Sequence, residues 1–215
     1  MLFNIESHQH DKPVGRIRKQ NETLIIRAAE VEFAERGFAG ASMSAIAQRA
    51  GLPKANIHYY FKNKMGLYIA VLSNIIDIWD ASLSDFTEDD DPSEVLPEYI
   101  RQKIAFAREY SLASRIFAAE IISGANNMKA YFSDNYHLWF AGRVAVFRKW
   151  IEQGKIDAIT PEHLLFMIWS TTQHYSDFSV QIAAALNKKE PDEQDYAAAA
   201  ETLIHVIMKG CGALK

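Results

Sequence analysis

SMSAIAQRAGLPKANIHYYFKNKMGLY, residues Ser42–Tyr68, is the stretch on which the reading of this chain turns. Ser42 is a good helix N-cap, and Ile46, Ala47 and Ala50 then fall on one helical face. Gly51 stops that helix. Pro53 suits the start of a second helix, where a missing N–H costs little. KANIHYYF makes about two turns, Lys62–Asn63 breaks it, and Lys64 opens a long third helix. Helix, glycine turn and short helix together give the helix-turn-helix layout. In that layout the second helix enters the major groove of DNA, phosphate contacts set its position and base edges give specificity. Lys54, Asn56 and His58 bring donors to the short helix. Tyr59 and Tyr60 pair rings with hydroxyls that can reach phosphates. Lys64 stands where a cation and helix N-terminal amides could hold a phosphate together. Phe61 reads as core. Taken on layout alone, a plain antiparallel helix pair with amphipathic tyrosines fits as well.

Charge supports the first alternative. The chain has 215 residues and a net charge of −4. Its distribution is uneven: ten Lys/Arg stand against six Asp/Glu through Lys64, and 13 against 21 beyond it. A basic head on an acidic body aims one end at a polyanion. The single cysteine, Cys211, excludes an intrachain disulfide and suits a reducing compartment. The first residues lack the apolar core and cleavage site of a signal peptide. No apolar run reaches the roughly 18 residues of a membrane span. The expectation is a cytoplasmic protein with no membrane partner and no cofactor.

Upstream of the opening stretch, Ile25, Ala28, Ala29 and Phe33 mark one face of a helix that begins near Ile17 and ends at Gly37. Residues 1–15 are polar and read as a mobile arm. Downstream, TEDDDP (Thr87–Pro92) reads as a solvated turn. Helical periods then cover about 93–109, 111–124, 127–153, 161–186 and 194–208. The expected class is all-α with about nine helices. The expected domains are the arm at 1–15, a DNA-binding head at 16–63, and a ligand-binding and dimerisation domain at 64–215.

The pattern S-x-x-x-IA-x-x-AG-x-x-x-x-x-I-x-YYF-x-x-K-x-x-L resembles the DNA-binding signature of the TetR family of bacterial transcriptional regulators. Pro53 stands where that family usually places a Ser or Thr cap, and Ser42 where it often has Thr. The resemblance implies a homodimer on a palindromic double-stranded DNA operator. By position it implies base contacts from Ser44, Lys54, Ala55 and Asn56. It implies phosphate contacts from Ser42, His58, Tyr59, Tyr60 and Lys64.

The body carries a second resemblance. YIAVLSNIIDIW, EYIRQKIAFAREYSLASRIFAAEIISGA and LLFMIWSTTQHYSDF are similar to the RutR-type (YcdC-like) branch, regulators of pyrimidine utilisation. That implies a repressor of pyrimidine catabolism that responds to uracil or thymine. The residues themselves point to a small-molecule effector site. Trp169, Thr172, Gln173 and Ser176 fall at i, i+3, i+4 and i+7 on one helical face. A Gln173 carboxamide offers both a donor and an acceptor, as the edge of uracil does. Trp169, and Trp79 from the helix leaving the head, could cover the flat ring. A satisfied polar patch on a dimer-seam helix stays open as the alternative, as do a different planar or apolar ligand and a ligand-independent DNA-binding protein.

Two acid–histidine pairs, Glu162–His163 and His174–Asp177, raise catalysis, but neither lies in a zinc-helix, phosphate-loop or nucleophile-elbow motif. The expectation is no enzyme. His8 and His10 lack a partner for metal nearby in sequence. Ile168, Ile182, Leu186, Leu203 and Ile207 make the last two helices apolar enough to expect a four-helix dimer seam there.

Overall fold

The computed structural model describes residues 13–83, 86–133 and 136–213, and its described residues are all-α. They form eleven helices: α1 Pro13–Gly40, α2 Met43–Ala50, α3 Lys54–Phe61, α4 Lys64–Leu83, α5 Pro92–Glu109, α6 Ser111–Ile122, α7 Lys129–Ser133, α8 Tyr136–Glu152, α9 Pro161–Asp177, α10 Ser179–Ala185 and α11 Glu193–Gly210. The expectation of about nine helices is corrected to eleven among the described residues. The period over 127–153 is shared by α7 and α8. The period over 161–186 breaks at Phe178 (φ −115°, ψ 25°) into α9 and α10. Of the expected arm, Pro13–Gly15 begin α1, and the rest lies outside the described residues. His8 and His10 lie there too. Gly37 (φ 65°, ψ 174°) interrupts α1 where a stop was expected.

The chain divides into two compact units, one through Val71 and one from Leu72, with the boundary inside α4. In the first, α1 packs on α2 and α2 on α3. Ile25, Ala28, Ala29 and Phe33, the face expected from the period, are all buried. Phe33 meets Tyr68 edge-on at 4.9 Å, and Phe38 lies 4.9 Å from the same ring. Arg49 of α2 reaches back to α1, 2.9 Å from Glu35 and 3.6 Å from Glu32, and Arg36 lies 3.5 Å from Glu32. Glu32 is only 2% exposed, so two guanidiniums offset the cost of burying its charge.

In the second unit α5 lies against both α9 and α11, with α6 and α8 also on α9. The core gathers Leu96, Tyr99, Ile100, Phe147, Trp150, Leu165, Ile168, Ile207 and Met208. The acidic turn is more than a solvated loop. Asp90 Oδ2 accepts from the Thr87 N–H at 2.7 Å and hydroxyl at 2.8 Å. Those bonds hold the Asp90 carboxyl below its ordinary pKa, the backbone bond first. Asp91 caps α5 by accepting from Ser93 N at 2.8 Å. The Lys155 ammonium donates to the carbonyls of Glu88 (3.0 Å), Asp89 (3.2 Å) and Asp90 (2.9 Å). Asp192 and Asp195 form a capping box at the start of α11.

Candidate nucleic-acid interface and effector cavity

The turn between α2 and α3 is built as its sequence requires. Ser42 Oγ accepts from Ala45 N at 3.1 Å. Gly51 takes the left-handed conformation (φ 66°, ψ 26°) and donates its N–H to the end of α2. No side chain caps α3, where Pro53 stands. The helix hangs on Ile57, which is 0% exposed, while Phe61, expected in the core, is only half-buried. Burying one such isoleucine is worth about 1.5–3 kcal/mol.

Around that anchor the expected DNA-facing residues are largely presented outward. Ser42, Ser44, Lys54, Ala55, His58 and Tyr59 are exposed, and Asn56, Tyr60 and Lys64 are half-buried. Tyr59 is the most open of the head's aromatics at 75%. Tyr60 stands edge-on to it at 5.3 Å, and Asn21 Nδ2 donates to the Tyr60 hydroxyl at 3.2 Å. The reading helix is thereby tied to α1, a contact no local pattern announces. The His58 ring meets the Lys62 carbonyl at 2.9 Å through Nδ1. A carbonyl only accepts, so that nitrogen carries the proton. Lys64 has partners within the head that its sequence position does not announce. Its ammonium donates to the carbonyls of Ala39 (3.2 Å) and Ala41 (3.0 Å) and lies 4.7 Å from the Phe38 ring centroid. It therefore fixes the connector that presents Ser42. Beside it, a Cβ on Gly66 would lie 2.8 Å from the Phe61 carbonyl oxygen, so only glycine lets α4 start so close to the end of α3.

The second unit holds a cavity of about 100 Å³. Its walls come from six helices: Ile76 and Trp79 of α4, Lys103 of α5, Phe117 of α6, Tyr131 and Phe132 of α7, Tyr136 and Trp139 of α8, and Trp169 and Gln173 of α9. Trp79 meets Phe117 edge-on at 4.6 Å, and Trp139 stacks on Trp169 at 6.4 Å. The Lys103 ammonium lies 5.1 Å from the Trp79 ring centroid, and the residue is only 7% exposed. Trp169 Nε1–H donates to the Tyr99 hydroxyl at 2.8 Å. Burial raises the Tyr99 pKa well above the usual tyrosine value, with the indole bond opposing weakly, so the hydroxyl stays neutral.

Three of the five residues expected at a ligand site, Trp79, Trp169 and Gln173, thus line one cavity. Thr172 and Ser176 do not line it. Both are fully buried. Thr172 Oγ1 donates back to the Ile168 carbonyl at 2.7 Å. Ser176 Oγ donates to Ser114 Oγ (2.7 Å), which donates to Asp177 Oδ1 (2.6 Å), fastening α9 to α6. Sequence reasoning missed Lys103, although the signal was there. It sits among Leu96, Tyr99, Ile100, Ile104 and Ala107 at helical spacing, where an apolar residue belongs.

Neither acid–histidine pair forms. Glu162 pairs with Arg148, and His174 stacks on Phe178 at 4.8 Å. Among the described residues no group of three or more His, Cys, Asp and Glu side chains could hold a metal ion, and no helix is long and apolar enough to cross a membrane.

Known proteins match both units. The family description for bacterial regulatory proteins of the tetR family fits residues 25–71, and that for the C-terminal region of YcdC-like proteins fits residues 72–214. The HTH-type transcriptional regulator RutR of Escherichia coli K12 is 39% identical over 186 residues, covering 86% of this chain and 88% of RutR. Among solved structures, a transcriptional-regulator structure from Streptomyces coelicolor superposes with a TM-score of 0.69 at 22% identity, covering 90% of this chain and 99% of that one. AibR, solved with isovaleryl coenzyme A and operator DNA, gives 0.66 at 19% identity, covering 86% and 97%. These structural likenesses speak to the fold. The match of both units and the identity to RutR settle the family: the chain belongs to the tetR family of bacterial regulatory proteins, with a YcdC-like C-terminal region, and is a helix-turn-helix DNA-binding transcriptional regulator rather than an enzyme.

Proposed function

We propose that this regulator is a repressor that releases its operator when uracil or thymine enters the α4–α9 cavity, and so controls pyrimidine catabolism. The carrying observation is the cavity itself: aromatic walls, about 100 Å³ of space, and hydrogen-bonding side chains from Lys103 and Gln173. An apolar cavity of about 150 Å³ takes one benzene. Space of this order therefore favours a single ring over a long acyl or multi-ring ligand. Gln173 offers a donor and an acceptor, whereas the Lys103 ammonium only donates. A carbonyl oxygen suits that lysine; uracil and thymine carry two, whereas cytosine carries an exocyclic amine in place of one of them, so the site favours uracil and thymine over cytosine. The lysine's charge also gives a second reading some support, a small planar anion.

In the head, base reading falls to Ser44, Lys54, Ala55 and Asn56, and phosphate holding to Ser42, His58, Tyr59 and Tyr60. Lys64 serves by shaping the Ala39–Ala41 connector, and its third N–H could still meet a phosphate. Two heads must stand about one DNA turn apart, ~34 Å. α4 runs unbroken from Lys64 to Leu83 and carries Trp79 on the cavity wall. A ligand that favours one tilt of α4 shifts the population of head spacings. A tenfold loss of operator affinity needs about 1.4 kcal/mol.

A homodimer through α9, α10 and α11 fits the apolar side chains left exposed there: Phe166, Met167, Val180, Leu186 and Val206. The seam expected from Ile168 and Ile207 needs revision in its residues, because both are buried within the unit itself.

Calorimetry with uracil, thymine, cytosine and benzoate tests the reading. Uracil and thymine should bind once per subunit, with cytosine at least about tenfold weaker, and Gln173→Leu should weaken uracil while leaving operator binding intact. No heat from millimolar uracil or thymine sinks the pyrimidine reading, and heat from benzoate alone favours the planar anion.

A further inference from the structure

Trp169 belongs to the cavity wall, yet its polar atom is engaged outside that wall. Its indole N–H donates to Tyr99 Oη at 2.8 Å, and Tyr99 is 1% exposed and absent from the lining. Tyr99 stands one helical turn from Lys103 on α5, so one helix carries both the cavity's cation and the indole's acceptor. Phe86 holds the tyrosine ring edge-on at 5.2 Å. Around the indole lie Trp139 stacked at 6.4 Å, Phe140 tilted at 5.7 Å and Phe166 tilted at 5.9 Å. Such ring contacts constrain the plane of the indole but are weakly directional within it. The hydrogen bond is strongly directional, and at 2.8 Å it selects which edge of the indole faces the cavity.

We propose that Tyr99 is a positioning residue for the effector: it holds the Trp169 N–H out of the cavity, so that this wall is apolar and the ligand's hydrogen-bonding groups are read by Lys103 and Gln173. The inference rests on the cavity being the effector site. Its consequence is a ligand class, a flat ring with polar groups gathered along one edge and a carbon edge opposite, as in a pyrimidinedione. A buried indole N–H left without an acceptor costs its full desolvation penalty, more than the net contribution of the bond it lost. Without Tyr99 Oη, the indole is therefore driven to turn toward any acceptor the cavity holds.

Two measurements decide it. In the first, the indole N–H resonances of the four tryptophans are followed in the wild-type protein during a uracil titration, with Trp169 assigned from Trp169→Phe. The Trp169 N–H should stay protected from exchange and nearly unshifted at saturation, while the Gln173 side-chain amide moves. A Trp169 N–H that shifts as strongly as the Gln173 amide is bonding the ligand, which overturns the proposal. This arm needs no variant at Tyr99. In the second, Tyr99→Phe, Trp169→Phe and the double variant are compared by calorimetry. Tyr99→Phe should weaken uracil about fivefold to tenfold, and the double variant should bind like Trp169→Phe alone. Losses that multiply independently would show that Tyr99 acts on the fold rather than through the indole. Failure of the wild type to bind uracil overturns the cavity reading, and this inference falls with it. Wild-type binding with independent losses overturns this inference alone.

Discussion

Lys103→Met is the substitution that best separates what the cavity does for a ligand from what it does for the fold. Methionine keeps an unbranched stem of similar reach and removes the ammonium. In the free protein the substitution removes the contacts of the ammonium, among them the one at 5.1 Å to the Trp79 centroid, worth about 0.5–2 kcal/mol. It also removes the desolvation penalty of a lysine only 7% exposed, several kcal/mol that offsets those losses. The unfolding temperature should therefore fall by no more than a few degrees. In the complex the ammonium would donate to a ligand carbonyl, and a hydrogen bond from a charged donor contributes about 1.5–3 kcal/mol. At roughly 1.4 kcal/mol per factor of ten, uracil should bind about 12- to 140-fold more weakly. Calorimetry with uracil and thymine gives the affinity, and thermal unfolding without ligand gives the stability. Methionine binding within threefold of wild type would refute the reasoning. So would a fall of many degrees in the unfolding temperature, because the lysine would then be structural.

In the head, Tyr59→Ala should weaken binding to all duplexes, while Lys54→Ala should relax sequence preference, both read by mobility shift on selected and scrambled DNA across salt concentrations. Gly66→Ala should destabilise the head by more than 1 kcal/mol in chemical unfolding, since its Cβ would sit 2.8 Å from a backbone oxygen that cannot move aside cheaply. Met167→Glu combined with Val206→Glu should convert a dimer to a monomer by light scattering without unfolding it, as both side chains are exposed in the single chain. Cys211 is fully buried and burial pushes its thiol pKa up, so maleimide at pH 7 should label it only when denaturant is present.

What could be read from sequence was what local physics writes locally. The Ile25–Phe33 face, the Ser42 cap and the Gly51 turn each rest on neighbours within a few residues, and each stands as expected. The Phe178 break was hidden because apolar periodicity continues through it into α10. Thr172 and Ser176 share a face with Gln173, but helical hydroxyls readily turn back to the preceding turn's carbonyl, and a face alone does not say which side chains do so. The cavity residues of α5–α8 come from segments scattered over some 40 positions, so their meeting is a property of packing. Lys103 is the exception: a lone cation in an apolar stripe is a local signal.

The ammonium of Lys155 sits at the meeting point of three backbone carbonyls, the kind of oxygen cluster in which many proteins seat a calcium or sodium ion. Here the cation is part of the chain. A free ion occupies such a site according to its concentration, and a chelator or a change of medium can empty it. A covalently tethered ammonium is always at hand and carries a single charge that no chelator removes. The acidic turn before α5 is therefore held without a bound metal ion, and its order does not follow divalent metal supply.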